Sequence, residues 1–188
     1  MNIAVYCGAS LGNSPVYQEA AVEIGEWIAR QGHVLVYGGG RAGLMGILAD
    51  TVLSHGGEVI GIIPGFLRDR ELAHPHLTEL IVVDSMPERK KYMMDLSKAY
   101  LALPGGPGTL EEITECVSWA RIGQNEHPCI FYNKNGYYDH VDSFYSKMVD
   151  EGFLSTEDRS KILFSGSIGQ IEAFIESYIP PGIRQYQV

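Results

Sequence analysis

Cysteine is scarce: Cys7, Cys116 and Cys129 are widely spaced, odd in number and form no C-x-x-C pair. That pattern excludes a disulfide framework and a zinc ribbon, and Cys7, beside a glycine turn, reads as a small buried hydrophobe. Positive charge is also short. With 14 Lys and Arg against 23 Asp and Glu, the formal net charge is -9, which argues against a general nucleic-acid or membrane-surface binder. An anionic ligand must then be held by a local arrangement. No apolar run approaches transmembrane length, and "MNIAVYCGAS" enters a strand without a charged leader, so the expected location is cytoplasmic. His74 and His76 flank a proline with no third ligand nearby and read as loop residues, so no metal is assigned. No glycine loop ends in Gly-Lys-Ser/Thr, which excludes a P-loop. No linker, repeat or low-complexity segment divides residues 1–188, and one domain is expected.

What is present is alternation. The short apolar runs "IAVYC", "HVLVYG", "EVIGIIP", "LIVVD", "AYLALPG" and "PCIFYN" read as buried strands. Between them, Tyr17, Ala20, Ala21, Ile24, Trp27 and Ile28 recur at helical spacing from Val16 to Ala29, and Gly32 comes next as a stop. Helices are also predicted over 43–55, 86–97, 109–122, 138–150 and 168–178. Strands and helices in this order predict an α/β fold: a Rossmann-like, doubly wound, mostly parallel sheet with helices on both faces. The tail "YIPPGIRQYQV" ends the last helix with two prolines and can either pack on the domain or fray.

In such sheets ligands bind beyond the carboxyl ends of the strands. There stand "CGAS", "YGGGRAGLMG", "IIPG", "DSMPERKK" and "LPGGPGTLEE". Glycines let backbone amides approach an anion, and a helix directly after them adds unpaired N–H groups and a positive dipole end. Tight turns and close helix-on-sheet packing are the preferred explanation of any single glycine loop; two on one edge shift the balance toward a phosphate cradle. "GGGRAG" matches G-x-G-x-x-G weakly, since it comes after the second strand and no acid ends the next.

Ser85 and Glu88 fit a capping box with Pro87 in the first turn, which crowds Arg89, Lys90 and Lys91 at a helix N-terminus. The macrodipole disfavours cations there by about 0.3–1 kcal/mol each. Lys91 fits a solvated face, whereas the planar guanidinium of Arg89 suits a bidentate phosphate contact. In "GTLEE", Thr109 is predicted to cap a helix with Glu112 as its partner, and Leu110, Ile113, Val117 and Ala120 form the buried stripe. Glu111 then points to solvent, while Glu112 is either a cap or a carboxylate at the loop mouth. Beside a phosphate, a carboxylate is better used toward the sugar, which suggests glycosidic chemistry.

"CGAS", "YGGGRAGLMG", "MPERKK" and "PGGPGTLEE", in this order across about the first two-thirds of the chain, resemble the "lonely guy" (LOG) family of cytokinin riboside 5′-monophosphate phosphoribohydrolases, some formerly described as lysine decarboxylases. The resemblance implies hydrolysis of the N-glycosidic bond of N6-substituted adenosine 5′-monophosphate, with no metal or organic cofactor. It implies Arg89 and Glu112 as the catalytic pair, Gly105, Gly106, Gly108 and Thr109 as the phosphate loop, and Ser10, Gly39, Gly40, Gly43 and Lys90 as further nucleotide contacts. A homodimer is also implied. Pro107 stands where relatives often carry an aromatic or aliphatic residue, and Ala9 where many have serine. A pyridoxal enzyme would need a Schiff-base lysine with partners for the pyridine nitrogen and phosphate, and no lysine here has that setting. The competing reading is a non-catalytic nucleotide or molybdenum-cofactor carrier on the same scaffold.

Overall fold

The computed structural model describes residues 1–68 and 72–184. In chain order its elements are β1 (Asn2–Tyr6), α1 (Pro15–Arg30), β2 (Val34–Tyr37), α2 (Gly43–Ser54), β3 (Glu58–Pro64), a short α3 (Gly65–Arg68), β4 (Glu79–Val83) and α4 (Met86–Leu96). The second half comprises β5 (Ala99–Ala102), α5 (Pro107–Ala120), β6 (Cys129–Tyr132), a single 3₁₀ turn, α6 (Asp139–Asp150), α7 (Thr156–Ser160), β7 (Ile162–Ser165) and α8 (Ile168–Glu176). All strand pairs are parallel, in the order β4-β3-β2-β1-β5-β6-β7.

That order fixes where a ligand can enter. The chain winds outward from β1 through β4, then returns to β1's other side and winds outward through β7. The loops leaving β1 and β5 therefore diverge, one toward each face, and open a crevice between two strands whose ends are level at Tyr6 and Ala102.

Alternation along the strands feeds two cores. Ile3, Val5 and Leu35 pack with Ile24, Ile28, Leu48 and Val52 of α1 and α2. Ala4, Tyr6 and Phe131 pack with Met93, Ile113 and Val117 of α4 and α5 on the opposite face. Burying a side chain of this size stabilises the fold by about 1.5–3 kcal/mol before conformational entropy is subtracted.

Two expectations are corrected. A seventh strand, β7, joins the edge; its four residues are only half buried in the middle and leave a weak apolar signal. Helix α5 begins at Pro107, with Gly106 as its extended N-cap, so Thr109 lies inside the first turn and makes no capping bond. Proline's fixed φ at the first helical position outweighs the T-x-x-E pattern. The helix phase moves accordingly: Thr109, Ile113, Cys116, Val117 and Ala120 are buried, and Leu110 is exposed.

The box at α4 forms with a variation. Ser85 Oγ accepts from the Glu88 N–H at 3.3 Å, and the Glu88 carboxylate accepts from Asp84 N–H at 2.8 Å, one residue before the cap. The tail, as far as Arg184, is tied to the end of α5 by a bond from Arg184 N–H to the Arg121 carbonyl at 2.9 Å. Its last four residues lie outside the described residues.

Candidate active site

A cavity of about 540 Å³ occupies the crevice at the ends of β1 and β5. Ser10, Arg89, Gly105, Gly106, Gly108, Thr109 and Glu112 all line it.

The loop before α5 is built to turn its carbonyls away from this space. Leu103 O accepts from Tyr138 O–H at 2.6 Å, Pro104 O from Gly8 N–H at 3.1 Å, and Gly105 O from Tyr137 O–H at 2.6 Å. The amides of Gly105 and Gly106 have no acceptor among the described residues. Those of Gly108 and Thr109 belong to the first turn of a helix, where no intrahelical acceptor exists. Four donors and the positive end of α5 are thus left to an anion. Thr109 is buried and folds back over Gly105, where an added Cβ would lie 2.2 Å from Thr109 Oγ1.

Arg89 projects from α4 into the floor and is only 6% exposed. Its guanidinium lies across Gly38 at the end of β2: a Cβ there would stand 1.8 Å from Nη2. Glu112, in the second turn of α5, shares with Arg89 both the cavity wall and a smaller enclosed space behind it, bordered by Tyr6, Gly38 and Met93. Burial, reinforced by the Glu112 charge and opposed by Arg89, pushes the Cys7 thiol well up. Although Cys7 is only partly buried and lines the cavity, these surroundings favour its thiol form. The Tyr6 hydroxyl, 3.3 Å from Cys116 Sγ, is held neutral chiefly by burial, then by Cys116 and Glu112; burial also pushes Cys116 up to about 12.

The remaining sequence candidates stand behind the cavity. Gly43, at φ +59°, backs onto the Ala9–Ser10 peptide so closely that an added Cβ would lie 2.3 Å from it, and it shapes the Ser10 loop. Gly39 accepts from the His74 N–H, and Gly40 bridges to Ala73. Lys90 joins α4 to α5, with Nζ 2.5 Å from Glu111 and 2.9 Å from Glu115. Burial pulls its pKa down, but the two glutamates outweigh that and hold it up. His74 is buried with both ring nitrogens engaged: Nδ1 accepts from His76 N–H at 3.2 Å, and Nε2 donates to Asp50 at 2.9 Å.

Sequence reasoning overlooked Gly38, Tyr17 and Tyr137. Gly38 belongs to a motif already singled out, but its reason is a side chain 51 positions away in the chain, at Arg89. Tyr137 lies just after the sixth strand, and the rule that ligands gather beyond strand ends points to that loop as well.

A family model described as "Possible lysine decarboxylase" matches residues 45–172. Cytokinin riboside 5′-monophosphate phosphoribohydrolase LOG1 of Arabidopsis thaliana is 41% identical over 178 residues, which cover 95% of this chain and 84% of that protein. The enzyme named LOG from Oryza sativa subsp. japonica is 40% identical, covering 95% and 74%. Among solved structures, the molybdenum cofactor carrier protein of Chlamydomonas reinhardtii superposes with a TM-score of 0.69 at 19% identity, over 94% of this chain and 98% of that one. That likeness is one of fold.

Proposed function

The chain belongs to the family of cytokinin riboside 5′-monophosphate phosphoribohydrolases, and from that premise we propose how the residues of its cavity divide the work. The protein is a hydrolase that breaks the N-glycosidic bond of a nucleoside 5′-monophosphate and releases free base and ribose 5-phosphate. The 5′-phosphate sits on the amides of Gly105, Gly106, Gly108 and Thr109. The observation that carries this reading is the loop whose three successive carbonyls are tied off while its amides are left available.

From Gly108 to Glu112 the helix rises about 6 Å, at about 1.5 Å per residue. The ribose ring sets a comparable distance between the 5′-phosphate and the glycosidic carbon, so Glu112 reaches that carbon. As the C1′–N bond breaks, the electron pair leaves with the base, and positive charge develops on the sugar. The Glu112 carboxylate stabilises that charge and takes a proton from the water whose oxygen bonds to C1′. The proton taken up by Glu112 is passed on, through solvent, to the departing nitrogen, so that one water is consumed and the carboxylate is regenerated. Arg89, fixed over Gly38, supplies the buried positive charge that compensates the carboxylate and the electron-rich leaving group.

Ser10 contributes a polar contact from the cavity wall. Gly39, Gly40 and Gly43 act by shaping that wall. Lys90 reaches the nucleotide only by leaving its glutamates. A decarboxylase that works through a pyridoxal Schiff base does not fit, because no lysine is among the described residues lining the cavity.

Glu112→Gln should lower kcat by about 10²–10⁴-fold while KM stays within a few-fold. A carrier protein would have no turnover to lose, and an unchanged rate would reject the assignment. The base is read as adenine with an N6 substituent; comparing base release from AMP and N6-isopentenyl-AMP measures that preference. We read the protein as a homodimer, supported by exposed Leu80 and Val82 on the edge strand β4. A monomer mass by ultracentrifugation at micromolar concentration would refute it. Three free cysteines support a reducing, cytoplasmic location, which cell fractionation tests.

A further inference from the structure

The segment "NKNGYYD", residues 133–139, makes an unusually constrained turn after β6. Asn135 and Gly136 both take left-handed conformations, with φ of 53° and 69°. Asn133 clamps the turn from inside: its Nδ2 donates to Asp139 Oδ1 at 2.7 Å, and its Oδ1 accepts from the Tyr138 N–H at 2.6 Å. A Cβ on Gly136 would lie 2.5 Å from Asp139 Oδ2. Backbone held this firmly in a sparsely populated region fixes the direction of the residues next to it.

Those residues are a pair of tyrosines whose rings meet edge to face at 4.9 Å. Tyr138 is buried and holds the Leu103 carbonyl. Tyr137 stands at the cavity wall, its ring braced by Tyr17 of α1 at 5.3 Å and its hydroxyl bonded to Gly105 O at 2.6 Å.

We propose that Tyr137 is a positioning residue for substrate: by holding the Gly105 carbonyl it sets the orientation in which the Gly106 amide meets the phosphate. The inference rests on the phosphate-loop reading above. In a planar trans peptide the N–H points opposite to the C=O, so a donor that fixes the Gly105 oxygen also fixes the Gly106 N–H. Glycines on both sides of that peptide let it turn over at little steric cost. The phenol removes this freedom through the carbonyl it holds. A residue acting in this way alters affinity for the phosphate and leaves bond cleavage at Glu112 alone.

Tyr137→Phe keeps the ring against Tyr17 and deletes only the donor. The test is steady-state hydrolysis of a nucleoside 5′-monophosphate, with ribose 5-phosphate as competitive inhibitor. KM and the inhibition constant should rise together by about five-fold, the size of one lost hydrogen bond, while kcat stays within about two-fold. Unchanged KM and inhibition constants, a loss confined to kcat, or a variant that no longer folds would overturn the proposal. Wild-type enzyme insensitive to ribose 5-phosphate would refute the phosphate-loop reading and this inference with it. Inhibited wild type with an equally inhibited variant refutes only the role of Tyr137.

Discussion

The two glycine-rich loops, "YGGGRAGLMG" after β2 and "LPGGPGTLEE" after β5, look alike as strings and differ in what occupies the space beside each glycine. In the first, the space is filled by the protein itself: the Arg89 guanidinium at Gly38, Ile63 and Leu80 at Gly39, and the Ala9–Ser10 backbone at Gly43. In the second, Gly105 is filled by Thr109 and Gly8, but Gly106 and Gly108 have no atom within 4 Å of an added Cβ. Neither of those two has positive φ. Packing does not demand glycine at either position, and in the proposed reading the open space is where the phosphate approaches. A glycine motif is thus two different signals: one shapes the wall, the other leaves room.

Substituting alanine into each loop breaks or sharpens that contrast. Of these glycine substitutions, Gly38→Ala has the largest expected effect on catalysis. The clash is with the far end of a flexible side chain, so the fold survives while the guanidinium moves. Misplacement on the scale of 1 Å should cost about 100-fold in kcat/KM with little change in melting temperature. Retained activity would show that Arg89 tolerates another position.

Gly43→Ala should act on stability instead, because its Cβ meets backbone at 2.3 Å and its φ is +59°. A loss of about 2–4 kcal/mol is expected from the clash and the left-handed strain together, read by chemical denaturation. Gly106→Ala is the smallest change and the sharpest test. The melting temperature should hold within about 2 °C, while KM for the monophosphate rises about ten-fold, or about 1.4 kcal/mol. An unchanged KM would leave Gly106 with neither a packing nor a ligand role.

Most of the architecture was legible because central parallel strands are buried on both faces and read as continuous apolar runs ended by glycine or proline. The edge strand β7 carries a run of only three apolar residues, Ile162, Leu163 and Phe164, too short to stand out. The start of α5 was misread because two local signals compete there, and Pro107 outweighs Thr109. Only the structure puts Glu112 in the second turn, where a capping role is closed to it. Lys90 shows the limit of carrying roles by motif: adjacent to Arg89 in sequence, it leaves α4 toward Glu111 and Glu115 and does not line the cavity. For Tyr137 the strand-end rule indicates the loop but not the contact. Its partner Gly105 is 32 residues away, and the two meet only because β6 lies beside β5.

That last contact carries a consequence for assembly. Ribosomes deliver Arg89 and Glu112 before the tyrosine turn has been made, so a growing chain holds the proposed catalytic pair ahead of the strut that ties the neighbouring loop. Parallel pairing of distant segments is a late and slow event. On the role proposed for Tyr137, a molecule in which β6 has yet to dock lacks that strut, and its hold on the monophosphate should tighten by about five-fold, the size of one hydrogen bond, when docking is complete.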